Sequence, residues 1–267
     1  MQFICPVCKG KLTRENNSLI CENRHCFDFA KSGYVNFLLG SKGGNHGDNK
    51  LMATARREFL KKGYYQPLCD ALVSTVKEYA FSGARVIDCG CGEGYYTNSI
   101  CAQLPEIELC AFDISKDAVS LAARENRACE YAVASSFDIP IADASTDILL
   151  EVFSPFCRDE FSRILKKGGI LISVIPLENH LFELKQAVYD KPYKNEPAPL
   201  ELDGFELISA REVRYEFDLS DNSDIKNLFM MTPYYYKTGV KEQARLNTLQ
   251  SLRISAEFLI IQYKKCD

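Results

Sequence analysis

A run of alternating glycines follows a short apolar segment near residue 90 of this 267-residue chain. Residues 86–94 read V-I-D-C-G-C-G-E-G, so two β-branched residues lead into Asp88, and the glycines fall at Gly90, Gly92 and Gly94. A buried strand that ends in such a loop can bring bare backbone close to a nucleoside cofactor. The nicotinamide fingerprint G-x-G-x-x-G places its third glycine one residue later, so this spacing argues against a dinucleotide.

Two acids accompany this glycine loop (residues 88–94). Asp88 precedes the first glycine by two residues, and the pattern D-x-G-x-G-x-G resembles motif I of the S-adenosylmethionine-dependent methyltransferases. Asp113 ends the next predicted strand, 19 residues after Gly94. An acid at that place can accept hydrogen bonds from both ribose hydroxyls of an adenosine. The alternative is that Asp113 serves the following helix as an N-terminal acid.

Four candidate metal ligands lie within the first 25 residues. They read C-x2-C-x12-C-x3-H, from Cys5, Cys8, Cys21 and His25. The Cys-Pro-Val-Cys turn places two thiolates on one ion and the second pair closes a tetrahedron, which suits structural zinc. A segment this short cannot bury a stable core, so metal binding would supply its folding free energy. Cys26 competes with His25 for the fourth position, and the spacing alone leaves that choice open.

The remaining cysteines are expected to be core residues. The chain has 12 cysteines, and its sequence contains neither a signal-peptide pattern nor an apolar run long enough for a membrane span. We therefore expect a cytoplasmic protein with no membrane partner, in which cysteines bind metal or pack inside rather than form disulfides. Cys89 and Cys91 alternate with the glycines, and we expect them to pack beneath the loop.

Positive charge is concentrated at the start of the chain. Residues 1–80 hold 12 Lys and Arg against 7 Asp and Glu, whereas residues 81–267 hold 20 against 29. A basic front end on an acidic body is typical of a module that docks a polyanion, although an uneven surface charge without a role is the alternative. The candidate contacts to a nucleic-acid backbone are Arg14, Arg24, Lys31, Arg56, Arg57, Lys61 and Lys62.

Apolar patterns predict strands and helices in alternation from residue 84 onward. The predicted strands span 84–88, 107–113, 130–134, 146–152 and 170–175, and the helices between them span 94–103, 115–126 and 157–165. This alternation predicts an α/β fold with a mostly parallel sheet that helices cover on both faces. The run Lys166-Lys167-Gly168-Gly169 is predicted to end the helix at 157–165.

Further segments flank this alternating core. The pattern predicts a linker or mobile loop at 37–50, helices at 51–62, 66–80, 222–231 and 240–250, and strands at 211–219 and 252–263. Two late strands after five strand–helix units suit the seven-stranded, Rossmann-like sheet of the class I methyltransferases, whose last strand runs antiparallel.

Short motifs are spread over nearly the whole chain. Besides the four metal ligands they include Gly33-Tyr34-Val35-Asn36, Tyr65-Gln66-Pro67-Leu68, Gly90-Cys91-Gly92-Glu93-Gly94-Tyr95-Tyr96-Thr97, His180-Leu181 and Met231-Thr232-Pro233. Together they resemble the bacterial 23S rRNA guanine-N1 methyltransferases of the RlmA type. The resemblance implies a small N-terminal zinc-binding domain joined to a class I methyltransferase fold. It also implies methylation of guanine N1 in a hairpin of 23S rRNA, with S-adenosylmethionine and Zn²⁺ as cofactors.

Carried over position by position, the resemblance implies roles for individual residues and segments. It assigns the metal to Cys5, Cys8, Cys21 and His25. It implies that Tyr65, Gly92, Glu93 and His180 contact the cofactor. The glycine loop and the next predicted strand add the candidates Asp88, Gly90, Gly94 and Asp113. It divides the chain into a zinc-binding RNA-recognition module (1–36), a linker with leading helices (37–80) and a methyltransferase domain (81–267). The implied partners are the rRNA hairpin and, because members of the family dimerise, a second copy of the chain.

The chemistry of guanine N1 sets two requirements for the part of the site that binds the acceptor. N1 carries a proton at neutral pH and lies on the Watson–Crick edge, so a base or a water path must remove the proton and the nucleotide must be unpaired or flipped. Phe153, Phe156 and Tyr234 are candidates for stacking on it. Glu151 is a candidate base, but the acidic segment 151–155 departs from the family pattern, so the catalytic base stays unassigned.

Other functions compete with this interpretation. One is methylation of another RNA or of a small molecule, with zinc in a structural role only. A second is an RNA-binding zinc ribbon on an inactive methyltransferase fold, against which the intact Asp88, Gly90 and Asp113 argue. A third, a nicotinamide dehydrogenase, is disfavoured by the glycine spacing. The residues do not select which guanine would be methylated.

Overall fold

The computed structural model describes residues 2–38 and 47–266 and is built around one large and one small β-sheet. The strands are β1 (Leu12–Glu15), β2 (Ser18–Cys21), β3 (Cys26–Asp28), β4 (Val35–Asn36), β5 (Arg85–Cys89), β6 (Glu108–Asp113), β7 (Glu130–Val133), β8 (Thr146–Val152), β9 (Leu165–Pro176), β10 (Phe205–Leu219) and β11 (Leu252–Lys265). The helices are α1 (Lys50–Lys61), α2 (Gln66–Tyr79), α3 (Tyr95–Gln103), α4 (Lys116–Glu125), α5 (Arg158–Ile164), α6 (Phe182–Val188), α7 (Asn222–Met230), α8 (Tyr234–Lys237) and α9 (Val240–Ala244).

The large sheet has the strand order β10-β11-β9-β8-β5-β6-β7-β4. β5 pairs in parallel with both β6 and β8, so the direction in which the chain adds strands reverses at β5. β11 runs antiparallel between β9 and β10, which confirms the predicted antiparallel last strand. β4 adds an eighth strand beside β7, at the edge of the expected seven-stranded sheet. In such sheets ligands bind beyond the carboxyl ends of the strands, at the point of reversal.

The small sheet consists of the antiparallel strands β1, β2 and β3. It packs on the large sheet through the chain on either side of it. Phe3 forms a bridge with Ile141, and β4 joins the edge of the large sheet. The predicted domain boundaries stay predictions, and residues 39–46, in the middle of the predicted linker, lie outside the described residues.

The helices α1 and α2 form a layer with a continuous apolar face. Asn49 caps α1, where its side chain accepts from the backbone N–H of Met52 at 3.1 Å. Phe59 on α1 is fully buried, and its ring stacks on Tyr64 and meets Tyr65 edge-on, with centroids 4.8 and 5.5 Å away. These contacts hold Tyr65, the residue that precedes α2, in the core.

The run at 166–169 does not end a helix as predicted. α5 already ends at Ile164. The two lysines and two glycines form a bulge near the start of β9, where the register against β8 shifts. Gly168 has a φ of 73°, and a Cβ at Gly169 would lie 3.2 Å from the carbonyl oxygen of Thr146. A tight bulge requires the same residues as a helix end, so the local pattern could not distinguish the two.

The helices near the C-terminus are also shorter than the pattern predicts. In place of one helix over 240–250, α9 ends at Ala244 and a 3-10 turn spans Arg245–Thr248. Asn222 accounts for the break, because its side-chain amide donates to the carbonyl oxygen of Leu246 at 2.6 Å and ties the turn to α7. In the part of the chain that the structure describes, no helix is long and apolar enough to cross a membrane.

The buried ring of Phe59 generates a stability prediction. Phe59→Ala should lower the free energy of unfolding by about 3–5 kcal/mol, because it removes a large side chain from a closed aromatic cluster. Leu51→Ala is the matched control on the same helix, since Leu51 is 70% exposed and its loss should cost less than about 0.5 kcal/mol. Chemical denaturation measures both, and equal losses would contradict the packing described for α1.

Candidate active site and metal centre

Four side chains converge in the small sheet. The ligand atoms of Cys5, Cys8, Cys21 and His25 all lie within 4.8 Å of one another. His25 Nδ1 is 3.5 Å from Cys5 Sγ and 3.3 Å from Cys21 Sγ, and Cys8 Sγ is 3.6 Å from Cys21 Sγ. A tetrahedral zinc ion with Zn–S bonds of about 2.3 Å and a Zn–N bond of about 2.0 Å separates its ligand atoms by roughly 3.5–3.8 Å. The donor set and its spacing therefore fit zinc.

The fold selects His25 over Cys26 as the fourth ligand. Cys26 is exposed on β3, and its Sγ lies 3.9 Å from Asp28 Oδ1. Successive residues of an extended chain point to opposite sides, so His25 and Cys26 cannot both face the same point. His25 turns toward the three thiolates, which gives the Cys₃His set.

A cavity of about 1000 Å³ opens beyond the carboxyl ends of β5, β6 and β8. Gly94 does not line it, because this residue precedes α3 and closes the glycine loop against the neighbouring helix. Cofactor cavities commonly measure about 300–1,000 Å³, so this one has room for a cofactor and part of an acceptor. The other seven predicted cofactor residues all line it: Tyr65, Asp88, Gly90, Gly92, Glu93, Asp113 and His180.

Gly90 and Gly94 allow a close approach as well as a turn. Their φ values are 82° and 88°, in the left-handed region that side chains with a Cβ disfavour. A Cβ at Gly90 would lie 2.3 Å from Ser154 Cβ, and one at Gly94 would lie 2.7 Å from Ala122 Cβ. The glycine loop therefore packs directly on the chain after β8 and on α4.

Asp88 is buried at the end of β5, and its two carboxylate oxygens differ in their hydrogen bonding. The Thr97 hydroxyl donates to Oδ2, whereas Oδ1 has no hydrogen-bond partner among the described residues. Burial, together with the nearby charges of Asp113 and Glu151, raises the pKa of Asp88 to about 7. An orphaned buried acceptor that faces a cavity is suited to a donor or a cation on a ligand.

Two further acids border the glycine loop. Asp113 accepts from the backbone N–H groups of Gly92 and Ser115 at 2.9 and 2.7 Å, so it supports both the loop and the start of α4. Burial raises the pKa of Asp113 above its ordinary value, although these two hydrogen bonds lower it. Burial also raises the pKa of Glu93 to about 7, against the lowering effect of Arg56. Asp88, Glu93 and the half-buried Asp113 thus line one cavity with raised pKa values, and a bound cation would favour their charged forms.

His180 and Tyr65 contribute neutral donors to the cavity wall. His180 Nδ1 accepts from the backbone N–H of Glu257 at 3.2 Å, so the neutral ring carries its hydrogen on Nε2. Burial, with the charge of Lys185, lowers the pKa of His180 to about 3. Burial raises the pKa of Tyr65 well above its ordinary value. Near pH 7 both rings are uncharged, and His180 is a hydrogen-bond donor rather than a general base.

Lys185 is buried directly behind the residues that line the cavity, at a position that the sequence pattern did not reveal. Its side chain is almost fully buried, donates to Asn195 Oδ1 at 2.7 Å and lies 4.5 and 5.2 Å from the ring centroids of Tyr193 and Tyr234. Burial lowers the pKa of Lys185. Its three partners line the cavity, and one of them, Tyr234, comes from a distant segment, so residue spacing alone does not mark the burial of this lysine. Thr97 was also missed as the partner of Asp88, although a hydroxyl in the first turn after the glycine loop is a usable signal.

The basic residues predicted as nucleic-acid contacts fall into two groups. Those on and after α1 are engaged within the fold, because Arg56 pairs with Asp48, Arg57 and Lys61 pair with Glu125, and Lys62 pairs with Asp224. Arg14, Arg24 and Lys31 are exposed in the zinc-bearing segment. The guanidinium of Arg14 lies over the ring of Phe29, 4.6 Å from its centroid.

Comparisons with known proteins agree with this two-part architecture. Residues 3–39 match the profile described as the zinc ribbon of RlmA, N-terminal, and residues 80–221 match a methyltransferase domain. YxjB of Bacillus subtilis (strain 168), named provisionally as a 23S rRNA (guanine-N(1)-)-methyltransferase, is 31% identical over 271 residues, which cover 97% of this chain and 95% of YxjB. The chain belongs to the RlmA family.

Two further relatives bear on this RlmA-family chain. The 23S rRNA (guanine(748)-N(1))-methyltransferase of Streptomyces fradiae is 37% identical over 187 residues, which cover 69% of this chain and 66% of that protein. The solved structure of the YcgJ protein from Bacillus subtilis aligns at a TM-score of 0.51 and 14% identity, over 74% of this chain and 98% of YcgJ, and shows the fold alone. The family confirms a class I S-adenosylmethionine methyltransferase with an N-terminal zinc ribbon.

The metal centre generates a prediction that separates the two competing ligands. Cys26→Ser should retain one equivalent of zinc, because its thiol points away from the centre. Cys21→Ser should lose most of the zinc and unfold the ribbon, since metal binding supplies its folding free energy. Inductively coupled plasma mass spectrometry of the purified variants measures the metal. Zinc loss in Cys26→Ser with retention in His25→Ala would reverse the assignment.

The raised pKa of Asp88 generates a pH-dependent stability prediction. An unfolded aspartate titrates near pH 3.9, whereas the pKa of Asp88 in the folded chain is about 7. Between these values the folded state binds more protons, so the stability contributed by protonated Asp88 is present below about pH 4 and is lost as pH rises through about 7. Asp88→Asn removes this titration. Without ligand, its melting temperature relative to the wild type should therefore increase from pH 5 to pH 8.

The control for that experiment is Glu106→Gln, which changes an exposed acid before β6. Its melting temperature should follow that of the wild type at both pH values. A difference between Asp88→Asn and the wild type that stays constant with pH would show that Asp88 does not titrate as described.

Proposed function

We propose that this protein transfers a methyl group from S-adenosylmethionine to N1 of a guanine in a hairpin of 23S rRNA. The observation that carries the proposal is the alignment with YxjB, which extends over 97% of this chain and so includes both the zinc ribbon and the methyltransferase part. The Streptomyces fradiae relative is named for the same atom, N1, of guanine 748 in the same RNA. These relatives favour an RNA acceptor over a small molecule.

Several features of the cavity support S-adenosylmethionine as its ligand. The orphaned Asp88 Oδ1 offers an acceptor to an amine, and Asp113 stands where an adenosine ribose is expected. The negative potential of the buried acids suits a cationic ligand. Tyr65, Glu93 and His180 would complete the contacts. When bound, the cofactor supplies a methyl group on a sulfonium, an electrophile that needs no further activation.

The protein's own task is then to align the acceptor and exclude water. Aromatic side chains at the cavity mouth can stack on unpaired bases, as proteins do when they bind single-stranded RNA. The guanine must also lose the N1 proton. Lys185, buried behind Tyr193 and Tyr234 of the wall, would add positive potential that favours the negative charge that the guanine then carries. The exposed aromatic residues that line the mouth are Phe137, Phe153, Phe156, Tyr193 and Tyr236.

The zinc ribbon would hold the RNA outside the cavity. Arg14, Arg24 and Lys31 are the predicted backbone contacts on the ribbon, and all three are exposed. An rRNA acceptor would place the protein in the cytoplasm, as the sequence predicts. Dimerisation stays a prediction, which sedimentation of the purified protein would measure.

The proposal predicts where the methyl group appears. Incubation of the protein with S-adenosylmethionine and a transcript of the 23S rRNA hairpin around guanine 748 should produce a reverse-transcription stop at one guanine, since a methyl group on N1 blocks Watson–Crick pairing. Asp88→Asn should weaken cofactor binding by about 10- to 100-fold, because a hydrogen bond to a charged group contributes about 1.5–3 kcal/mol. Calorimetry measures the binding, with Glu106→Gln as the control.

Each part of the proposal has its own contrary result. Cofactor binding by the wild type with no stop in any rRNA transcript would reject the rRNA acceptor and favour another RNA or a small molecule. Unchanged binding by Asp88→Asn would reject the position of the cofactor.

A further inference from the structure

Phe153 adopts a backbone conformation that non-glycine residues rarely take. Its φ is 56°, in the left-handed region, directly after β8. Such strain costs folding free energy and is concentrated at functional sites, where surrounding contacts must enforce it. The Phe153 side chain is 43% exposed and lines the cavity beside the glycine loop. A strained, half-exposed aromatic residue at the mouth of an active site requires an explanation from function.

A buried hydrogen-bond network enforces this conformation in the acceptor turn (residues 151–156). Glu151 Oε1 accepts from the backbone N–H of Ser154 at 2.7 Å, and Glu151 Oε2 accepts from the Ser173 hydroxyl at 2.6 Å. The Ser154 hydroxyl donates to the carbonyl oxygen of Cys89 at 2.8 Å. The acceptor turn is thereby tied to β9 on one side and to the glycine loop on the other.

The same network favours a structural role for Glu151 over proton transfer. Both of its carboxylate oxygens accept hydrogen bonds from protein donors, and the residue is only 2% exposed. A general base needs an oxygen within hydrogen-bond reach of the proton that it abstracts. Glu151 therefore acts on the shape of the acceptor turn.

The two other stacking candidates from the sequence, Phe156 and Tyr234, contact different partners. Phe156 packs edge-on against the core residue Phe161, with centroids 5.1 Å apart. Tyr234 covers the ammonium of Lys185. Among the described rings, Phe153 contacts Phe258 alone, at 5.5 Å between centroids. Phe153 thus has a face available to a ligand and lies next to the residue that touches Gly90.

We propose that Phe153 is the stacking surface for the target guanine, and that Glu151 is the positioning residue that holds this surface in place. The inference rests on the proposed function and specifies its acceptor site. Ser154 sets the distance between Phe153 and the glycine loop. It packs on Gly90 and donates a hydrogen bond to the carbonyl oxygen of Cys89, while its neighbour Phe153 faces the cavity. The base on Phe153 and the ligand at the glycine loop are then adjacent.

A fluorescence titration tests the stacking without any methyl transfer. The chain has no tryptophan, so Phe153→Trp introduces a single reporter. Addition of the 23S rRNA hairpin should quench it strongly, because a guanine stacked on indole quenches its emission. Phe81→Trp is the matched control, since Phe81 is an exposed phenylalanine at the opposite, amino end of β5 and should be unaffected. RNA binding without quenching in Phe153→Trp would overturn the proposal.

Activity measurements distinguish stacking from a structural role for the ring. Phe153→Gly should fold, because glycine adopts a φ of 56° without strain. It should lose about 10- to 100-fold in kcat/KM for RNA, the effect of one lost base–aromatic stack, and keep its cofactor affinity. Phe153→Trp should retain activity within about tenfold. Equal kcat/KM in Phe153→Gly and the wild type would overturn the proposal.

Two substitutions separate positioning by Glu151 from base catalysis. Glu151→Gln preserves the shape and one acceptor oxygen, so its kcat should stay within about tenfold with an unchanged pH profile, whereas loss of a general base costs about 10²–10⁴-fold. Glu151→Ala in the Phe153→Trp background should lose the RNA-dependent quenching, and Glu151→Gln in that background should keep it. A large kcat loss with an altered pH profile in Glu151→Gln would assign base catalysis to Glu151.

A failure of this inference can be distinguished from a failure of the proposed function. A wild type that methylates no rRNA would reject the proposed acceptor. A wild type that methylates rRNA beside an unquenched Phe153→Trp would reject only the stacking surface.

Discussion

The close packing of Gly90 on Ser154 is the contact on which the site depends. A side chain at position 90 would overlap Ser154, so only glycine allows the loop after β5 to meet the acceptor turn after β8. The two segments are far apart in sequence and adjacent in the sheet, because β5 pairs in parallel with β8. One contact therefore fixes the distance between the glycine loop and the proposed acceptor turn, and the rate of group transfer depends steeply on such distances.

Buried charge is the second constraint. Asp88, Glu93 and Asp113 are held around one cavity, and burial raises the pKa of each. Their ionised forms cost stability in the free protein, and a cationic ligand offsets that cost. The same arrangement favours a cationic ligand in the cavity and lowers the stability of the fold when no such ligand is bound. Lys185 is a buried group of opposite charge, whose ammonium contacts two tyrosine rings and one side-chain amide.

The zinc ribbon and the first helix divide the basic residues between them. On α1, Arg56 pairs with Asp48 just before the helix, and Arg57 and Lys61 pair with Glu125 of the methyltransferase part, so these charges stabilise the fold. Arg14, Arg24 and Lys31 stay exposed on the segment that the metal organises. The excess positive charge in the first 80 residues thus has two uses, which a count of charges cannot separate.

The sequence by itself determined the features that depend on short-range chemistry. The zinc ligands could be predicted because chelation requires ligands at close spacing, and the glycine loop because a strained loop requires glycine. The α/β alternation could be predicted because strands and helices differ in the period of their apolar residues. Only the tertiary structure decided the rest. It placed Lys166–Gly169 in a strand bulge, turned His25 rather than Cys26 toward the metal, occupied both oxygens of Glu151 and buried Lys185 between Tyr193 and Tyr234. These outcomes depend on how the packed fold brings side chains together, in part from segments distant in sequence, and not on a local pattern alone.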